Sequence, residues 1–217
     1  MTALPAGVLR EALVDVGAIA ANVRHLRRLT DSEVIAVVKA DGYGHGAVRA
    51  AAAALEGGAT RLGVAEVGEA LALRRGGISA PIVAWLLAPG ASFVEAAGAG
   101  VELGISTMDQ LNRAAAAATA DRPVGVHLKF ETGLGRNGIP PEDWRMVAAE
   151  AARLERIGKV RVVGLFSHLS NASPDDDRAA LALFHEAIGV AASVGVAPRL
   201  RHIAATHAAI DLPEARL

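Results

Sequence analysis

Short apolar runs alternate with amphipathic segments along the whole chain. Each run is rich in Val, Ile and Leu and shows little polar alternation, which is typical of strands buried on both faces of a parallel sheet. The predicted strands cover residues 34–38, 62–65, 81–85, 101–105, 124–130, 160–166 and 200–204.

The segments between these runs have apolar residues at helical spacing. Asp15 is placed to cap the first helix, and Gly57 with Gly58 to end the second. Thr107 and Gln110 form a capping box for a helix through residue 118. A further helix over 177–192 is predicted to follow an acidic loop at 175–177, and the others cover 47–55, 66–75, 92–97, 141–154 and 206–210.

Strict alternation of strand and helix indicates a parallel sheet with right-handed crossovers. Seven strands approach the eight of a (β/α)8, TIM-type barrel, which is the α/β fold that we expect. A doubly wound sheet is the competitor, but Gly42, Gly44 and Gly46 are not spaced as a dinucleotide-binding turn. Because residues 211–217 leave no room for an eighth strand, we expect one barrel domain, 1–217, at the front of a longer protein.

Composition narrows the function classes. Aromatic residues are only 3% of the chain, so the core must be built from Ala, Val, Leu and Ile. A formal net charge of −1 argues against nucleic-acid or membrane-surface partners. The lack of cysteine excludes disulfides and thiolate metal sites. No signal sequence or membrane span is evident, so we expect a cytoplasmic protein.

Lys39 is the strongest candidate for chemistry. It follows the first strand, where desolvation lowers a lysine pKa and allows the neutral amine to attack a carbonyl. The glycines after it allow the backbone to approach a ligand closely. The alternative interpretation is an ordinary strand-end lysine that reaches solvent.

Other polar residues follow other strands, and a barrel gathers strand ends at one face. An amine, an arginine in a glycine-rich loop, a histidine and hydroxyl donors suit an anionic cofactor with a carbonyl, such as pyridoxal 5′-phosphate. Taken singly, each residue fits a structural role better, Arg136 as a loop cap or surface ion pair, Thr206 as a helix cap and His168 as a hydrogen-bonded histidine, and only their common location favours a functional site. No spacing predicts a metal site. The candidates are Lys39, Tyr43, Lys129, Arg136, His168, His202 and Thr206.

Four segments resemble the alanine racemase family. Residues 37–46, Val-Val-Lys-Ala-Asp-Gly-Tyr-Gly-His-Gly, resemble its pyridoxal-phosphate attachment motif. Residues 128–138 resemble its Leu-Lys-x-Asp-Thr-Gly-Met-Gly-Arg-x-Gly segment, 164–168 its Gly-x-x-x-His segment and, more loosely, 201–206 its His-x-Ala-Asn-Ser segment.

The resemblance implies a fold-type III barrel in which Lys39 holds the cofactor and moves a proton. It further implies that Tyr43 and Thr206 contact the phosphate and that His168 lies against the ring. Arg136 is expected at the phenolic oxygen and the substrate carboxylate. Lys129 matches a lysine that is carbamylated in some members and helps to place that arginine.

The sequence also departs from the family pattern. Glu131 stands where aspartate is usual, Ala205 replaces an asparagine, and His207 replaces a small residue. The family's β-rich second domain, with the opposing tyrosine that a partner subunit provides, and its Arg-x-Gly-x-x-x-Tyr-Gly segment are not among these residues. We therefore expect a cofactor-binding part of a homodimeric racemase that is poorly active by itself.

Two other functions remain open. One is a barrel that carries pyridoxal phosphate for cofactor homeostasis without turnover, although the Phe-Gly-Glu-Asn segment of such proteins is absent. The other is a racemase for serine or another amino acid, which the segment around Lys39 barely distinguishes from an alanine racemase. A related decarboxylase fits that segment less well.

Overall fold

The computed structural model describes residues 10–217 and shows a parallel sheet flanked by helices. The strands are β1 (Ile35–Val37), β2 (Arg61–Val64), β3 (Ile82–Ala84), β4 (Val101–Ile105), β5 (Val124–Lys129), β6 (Val160–Phe166) and β7 (Leu200–His202). Each strand pairs in parallel with the next, in the order β1 to β7. This confirms the predicted α/β barrel architecture and the position of every predicted strand.

Helices follow the strands, as the sequence predicts. They are α1 (Val16–Thr30), α2 (Lys39–Tyr43, a short irregular turn), α3 (Ala47–Glu56), α4 (Val67–Arg75), α5 (Phe93–Gly98), α6 (Met108–Ala116), α7 (Trp144–Arg156), α8 (Pro174–Ser193) and α9 (Thr206–Asp211). The predicted caps are present: Asp15 accepts a hydrogen bond from Ala18 N at 3.1 Å, and Thr107 accepts one from Gln110 N at 3.1 Å.

The prediction of a loop over residues 175–177 is wrong. Residues 175–177 form the first turn of the helix rather than a loop. Ser173 caps the helix by accepting a hydrogen bond from Asp176 N, and Pro174 occupies the first helical position. The carboxylates interact favourably with the positive end of the helix dipole, so acidic residues here favour a helix start.

The sheet curls around an interior filled by a few large side chains. Arg61 and Glu102 start from the alternate strands β2 and β4 and pair with each other, like the side-chain layers of a TIM barrel, and the mostly exposed Arg161 of β6 approaches Glu102. Glycine also makes room for the large Trp85 side chain, because a Cβ on Gly63 would lie 2.1 Å from its ring. The small inner positions therefore set how the large side chains stack.

The barrel is open on one side. In the part of the chain that is described, no ladder joins β7 to β1. A groove of about 620 Å³ runs between them, lined by both strands, α1 and the start of α9. None of the helices within residues 10–217 is long and apolar enough to cross a membrane. The first nine residues lie outside the described range. The predictions of a domain over 1–217 and of no signal sequence both include those nine residues.

Candidate active site

The backbone directly after Lys39 is strained. Ala40, Asp41 and Tyr43 have φ angles of 51°, 52° and 54°, in the left-handed region that non-glycine residues rarely adopt. Each such residue costs on the order of 1–3 kcal/mol, so the conformation persists only when the surroundings impose it. A strained turn at a strand end of a barrel is a candidate functional segment.

Two carboxylates hold this turn in place. Asp41 Oδ1 accepts a hydrogen bond from Ala47 N at 2.7 Å, which ties the turn to α3. Glu69 Oε1 accepts one from Ala40 N at 2.7 Å, and its Oε2 accepts one from Ala65 N at 2.8 Å. The residue after Lys39 is therefore fixed from both sides.

Lys39 itself is only partly buried, so the full desolvation expected from the sequence is not observed. Its Nζ lies 5.8 Å from the centre of the Tyr43 ring, and Tyr43 is 58% exposed. The amine is thus fixed at its base and reachable at its tip.

The deeply buried lysine of the site is Lys129, which is 3% exposed at the end of β5. Burial, assisted by the charge of Arg136, lowers the pKa of Lys129 to about 8, against the attraction of Glu131. Its Nζ donates to the side-chain oxygen of Asn137. At pH 7 about a tenth of this amine is therefore uncharged, and the uncharged fraction rises to about half at pH 8.

The loop that carries Arg136 is organised by Glu131. The carboxylate Oε1 accepts hydrogen bonds from Gly133 N at 2.7 Å and from Gly135 N at 3.0 Å. Glutamate in place of the family's aspartate thus still reaches the loop amides. Arg136 is exposed at the end of this turn.

His168 follows β6, and the cations around it affect its pKa. Burial lowers its pKa, and the charges of Arg136, Lys129 and Lys39 lower it further. The charges of Lys39 and Arg136 thus both act on His168, which is consistent with a shared site at the strand ends but does not test the predicted roles. Among residues 10–217, neither Lys39 nor Arg136 forms an ion pair, so both cations can bind an anionic ligand, although the carboxylates of Glu131 and Asp177 also act on the site.

Thr206 lies on the groove between β7 and β1. It is exposed at the start of α9 and shares the groove wall with Tyr43, His202 and Trp85. Tyr43 belongs to both groups, because its ring also contacts Lys39. Both hydroxyls are therefore available to a ligand that extends from Lys39 into the groove.

Residues 14–217 match the family model described as alanine racemase, N-terminal domain. The chain belongs to the alanine racemase family. It is 48% identical over 211 residues to the alanine racemase of Thermobifida fusca. This match covers 95% of this chain and 56% of that protein. The chain thus spans about half the length of the curated relatives that it matches.

Solved structures show the same relationship. The alanine racemase from D-cycloserine-producing Streptomyces lavendulae superposes with a TM-score of 0.89 at 40% identity, over 94% of this chain and 55% of that one. The enzyme from Streptomyces coelicolor gives a TM-score of 0.87 at 41% identity, over 93% of this chain and 55% of that one. The barrel resemblance inferred from the motifs is confirmed.

The departures from the family motif at α9 have visible consequences. Ala205 occupies the N-cap position and has no side chain to bond the helix amides. His207 Nδ1 lies 3.2 Å from Asp211 Oδ2, one turn along the exposed face of α9. The substitution at position 207 thus forms a local contact within the helix.

Sequence reasoning missed several residues that shape the site. Glu69 lies 29 positions from Ala40, and no local pattern connects the two. Asp41 falls inside the recognised motif, but its role in the turn depends on backbone angles that the motif does not state. Within residues 10–217 no group of three or more potential metal ligands is found.

Proposed function

We propose that this chain is the cofactor-binding barrel of a pyridoxal-phosphate-dependent alanine racemase. Such an enzyme interconverts L- and D-alanine in the cytoplasm, supplies D-alanine for peptidoglycan and acts as a homodimer at full length. The observation that supports the proposal is the strained turn directly after Lys39, together with the lowering of the His168 pKa by the charges of Lys39 and Arg136. Seven-stranded parallel topology alone does not point to this chemistry.

The residues present fit pyridoxal phosphate. The amine of Lys39 suits the aldehyde, and the exposed hydroxyls of Tyr43 and Thr206 suit the phosphate. Arg136 supplies a forked donor for the phenolic oxygen and for a substrate carboxylate. His168, kept neutral near pH 7 by its surroundings, can lie against the ring without adding charge.

Lys39 has two roles in the proposed reaction. Its amine holds the cofactor, which supplies the electron sink that makes the Cα proton of a bound amino acid acidic. Once released, the amine takes or returns that proton on one face of Cα. Arg136 fixes the carboxylate so that Cα stays within reach of Nζ, and Lys129 and Glu131 place Arg136.

The opposite face needs a second proton carrier. The chain contains a single tyrosine, Tyr43, which is assigned to the phosphate. By analogy with the family, a tyrosine of the partner subunit, outside these 217 residues, serves that face. The chain by itself is therefore expected to catalyse proton exchange on one face and very little racemisation.

The test is hydrogen exchange at Cα in D₂O, followed by ¹H NMR with pyridoxal phosphate present. A single lysine on one face exchanges the proton of one alanine enantiomer only, with retention of configuration. Lys39→Ala is expected to abolish this exchange, whereas Lys159→Ala, a change at an exposed lysine far along the chain, is expected to preserve it.

The same experiment separates the alternatives. Cofactor bound at Lys39 without any exchange favours the homeostasis barrel. Faster exchange of serine than of alanine favours a racemase for another amino acid. Exchange that survives Lys39→Ala contradicts the proposed role of Lys39.

A further inference from the structure

Two buried polar side chains, Glu102 and His127, and the half-buried His202 form a hydrogen-bonded row across the barrel interior. His127, on β5, is fully buried; its Nε2 lies 3.0 Å from Glu102 Oε2 on β4, and its Nδ1 lies 3.2 Å from His202 Nε2 on β7. A Cβ on Gly164 would lie 2.5 Å from His127 Nδ1, so only glycine leaves room for the ring there. The row is built into the sheet.

The direction of the hydrogen bonds follows from the partners. Glu102 also pairs with Arg61 and lies 3.7 Å from Arg161, so it is ionised and can only accept. His127 Nε2 must therefore carry a hydrogen. In a neutral imidazole the other nitrogen is then an acceptor, so His202 Nε2 must donate to His127 Nδ1.

The surroundings keep both rings neutral. Two arginines and one glutamate leave a positive balance at the inner end of the row. Burial lowers the pKa of His127, and the charges of Arg61 and Arg161 add to this effect, although Glu102 opposes it. Burial lowers the pKa of His202 well below its usual value, and His127 and Arg61 lower it further.

We propose that Glu102 and His127 are positioning residues that fix His202 as a neutral Nε2–H tautomer at the wall of the groove between β7 and β1. The single N–H of His202 is then occupied by His127, so the ring offers the groove a lone pair and no donor. Phosphate oxygens find no partner there and are left to the hydroxyls of Tyr43 and Thr206, which share the groove. This last consequence rests on the proposed function, whereas the tautomer does not.

The row differs from a buried ion pair that only stabilises the barrel. A purely structural role requires the three side chains to fill space and satisfy charge, and it leaves the tautomer of His202 free. The proposed relay, in which Glu102 and His127 set the tautomer of His202, requires one specific pattern of protonated nitrogens. NMR spectroscopy detects that pattern directly.

The test is ¹⁵N NMR of protein labelled at histidine, near pH 7. We expect the Nε2 of both His127 and His202 to be pyrrole-type and both Nδ1 atoms to be pyridine-type, with a coupling between His202 Nε2 and His127 Nδ1 across the hydrogen bond. The exposed rings of His25 and His185 serve as internal references for imidazoles in water. A wild-type His202 that carries its hydrogen on Nδ1, or averages between the tautomers, overturns the proposal.

Two variants complete the test. Glu102→Gln keeps an oxygen facing Arg61 and His127 and is expected to retain the wild-type pattern. His127→Phe keeps the ring volume but removes the acceptor, so His202 is expected to average between both tautomers. If His202 keeps a single Nε2–H tautomer in folded His127→Phe protein, something other than the relay fixes it and the proposal fails.

Borohydride labelling of Lys39 in the same samples separates this result from the proposed function. A fixed tautomer without labelling leaves the relay intact and contradicts the cofactor proposal. Labelling of Lys39 together with a His202 that averages between tautomers supports the cofactor proposal and contradicts the relay.

Discussion

Glu69 Oε1 lies 2.7 Å from Ala40 N, so one side chain of α4 holds the backbone immediately after Lys39. The other carboxylate oxygen accepts hydrogen bonds from Ala65 N at 2.8 Å and from Glu66 N at 3.2 Å at the start of α4. The carboxylate therefore bridges two neighbouring strand ends. This bridge explains how a strained turn is kept at the base of the candidate catalytic lysine.

Glu69→Gln is expected to loosen that turn. An amide has one accepting oxygen, so either Ala40 N–H or the α4 amides must face an NH₂ group and lose their acceptor. The loss of hydrogen bonds to a charged partner costs about 1.5–3 kcal/mol, and the free energy of unfolding in urea measures it. Cofactor attachment at Lys39 is expected to fall as well.

The matched control for this prediction is Glu186→Gln, on the exposed face of α8. It makes the same chemical change away from any strand end and should alter the free energy of unfolding by less than about 0.5 kcal/mol. Equal behaviour of Glu69→Gln and Glu186→Gln would show that the bridge does not hold the turn.

Lys129 gives the chain an unusual alkaline pH dependence. Its pKa is about 8 in the folded state and 10.5 in the unfolded chain, so between these values the unfolded chain binds more protons. Stability contributed by this residue therefore rises with pH across that window, by about 2–3 kcal/mol. Lys129→Met should remove the rise, as measured by urea unfolding, and a rise that persists in this variant contradicts the assignment.

His127 and His202 are expected to make the free energy of unfolding depend on pH in the acid range. His127 and His202 have pKa values below the usual 6.5, and the pKa of Glu102 lies below 4.5. The unfolded chain therefore binds more protons than the folded one at acid pH, so stability falls as the pH drops below about 6.5. In His127→Phe the fall should be shallower, and an unchanged slope in acid unfolding curves would speak against it.

Much of this fold could be predicted from local patterns, because strands buried on both faces leave unbroken apolar runs in the sequence. Helix caps such as Asp15 and Thr107 could also be predicted, because each bonds an amide only three positions along the chain. Residues 175–177 resemble a loop when only their charge is considered, whereas the preceding Ser173 and Pro174 indicate a helix start.

The site was less predictable than the fold, because its geometry depends on contacts between distant residues. Lys39, Arg136 and His168 could be identified from motifs that follow strand ends. The burial of Lys129 rather than Lys39 depends on the packing of the whole barrel, which no motif encodes. Glu102 and His127 stand in apolar runs, where only their partners from other strands explain them.

The inner glycines offer a prediction about packing. A Cβ on Gly63 would lie 2.1 Å from the Trp85 ring, so Gly63→Ala forces the ring to move. Overpacking of this kind typically destabilises by about 1–3 kcal/mol. Gly68→Ala, in α4 with open space around it, is the control and should stabilise by about 0.5–1 kcal/mol, as thermal unfolding can show.

The most direct test of the account is to find which lysine holds the cofactor. The chain has three lysines, Lys39, Lys129 and Lys159, so peptide mapping after borohydride reduction with pyridoxal phosphate gives an unambiguous result. The account predicts the label on Lys39, retained in Lys159→Arg and lost in Lys39→Arg. A label on Lys129 or Lys159 instead, or none in folded protein, would contradict it.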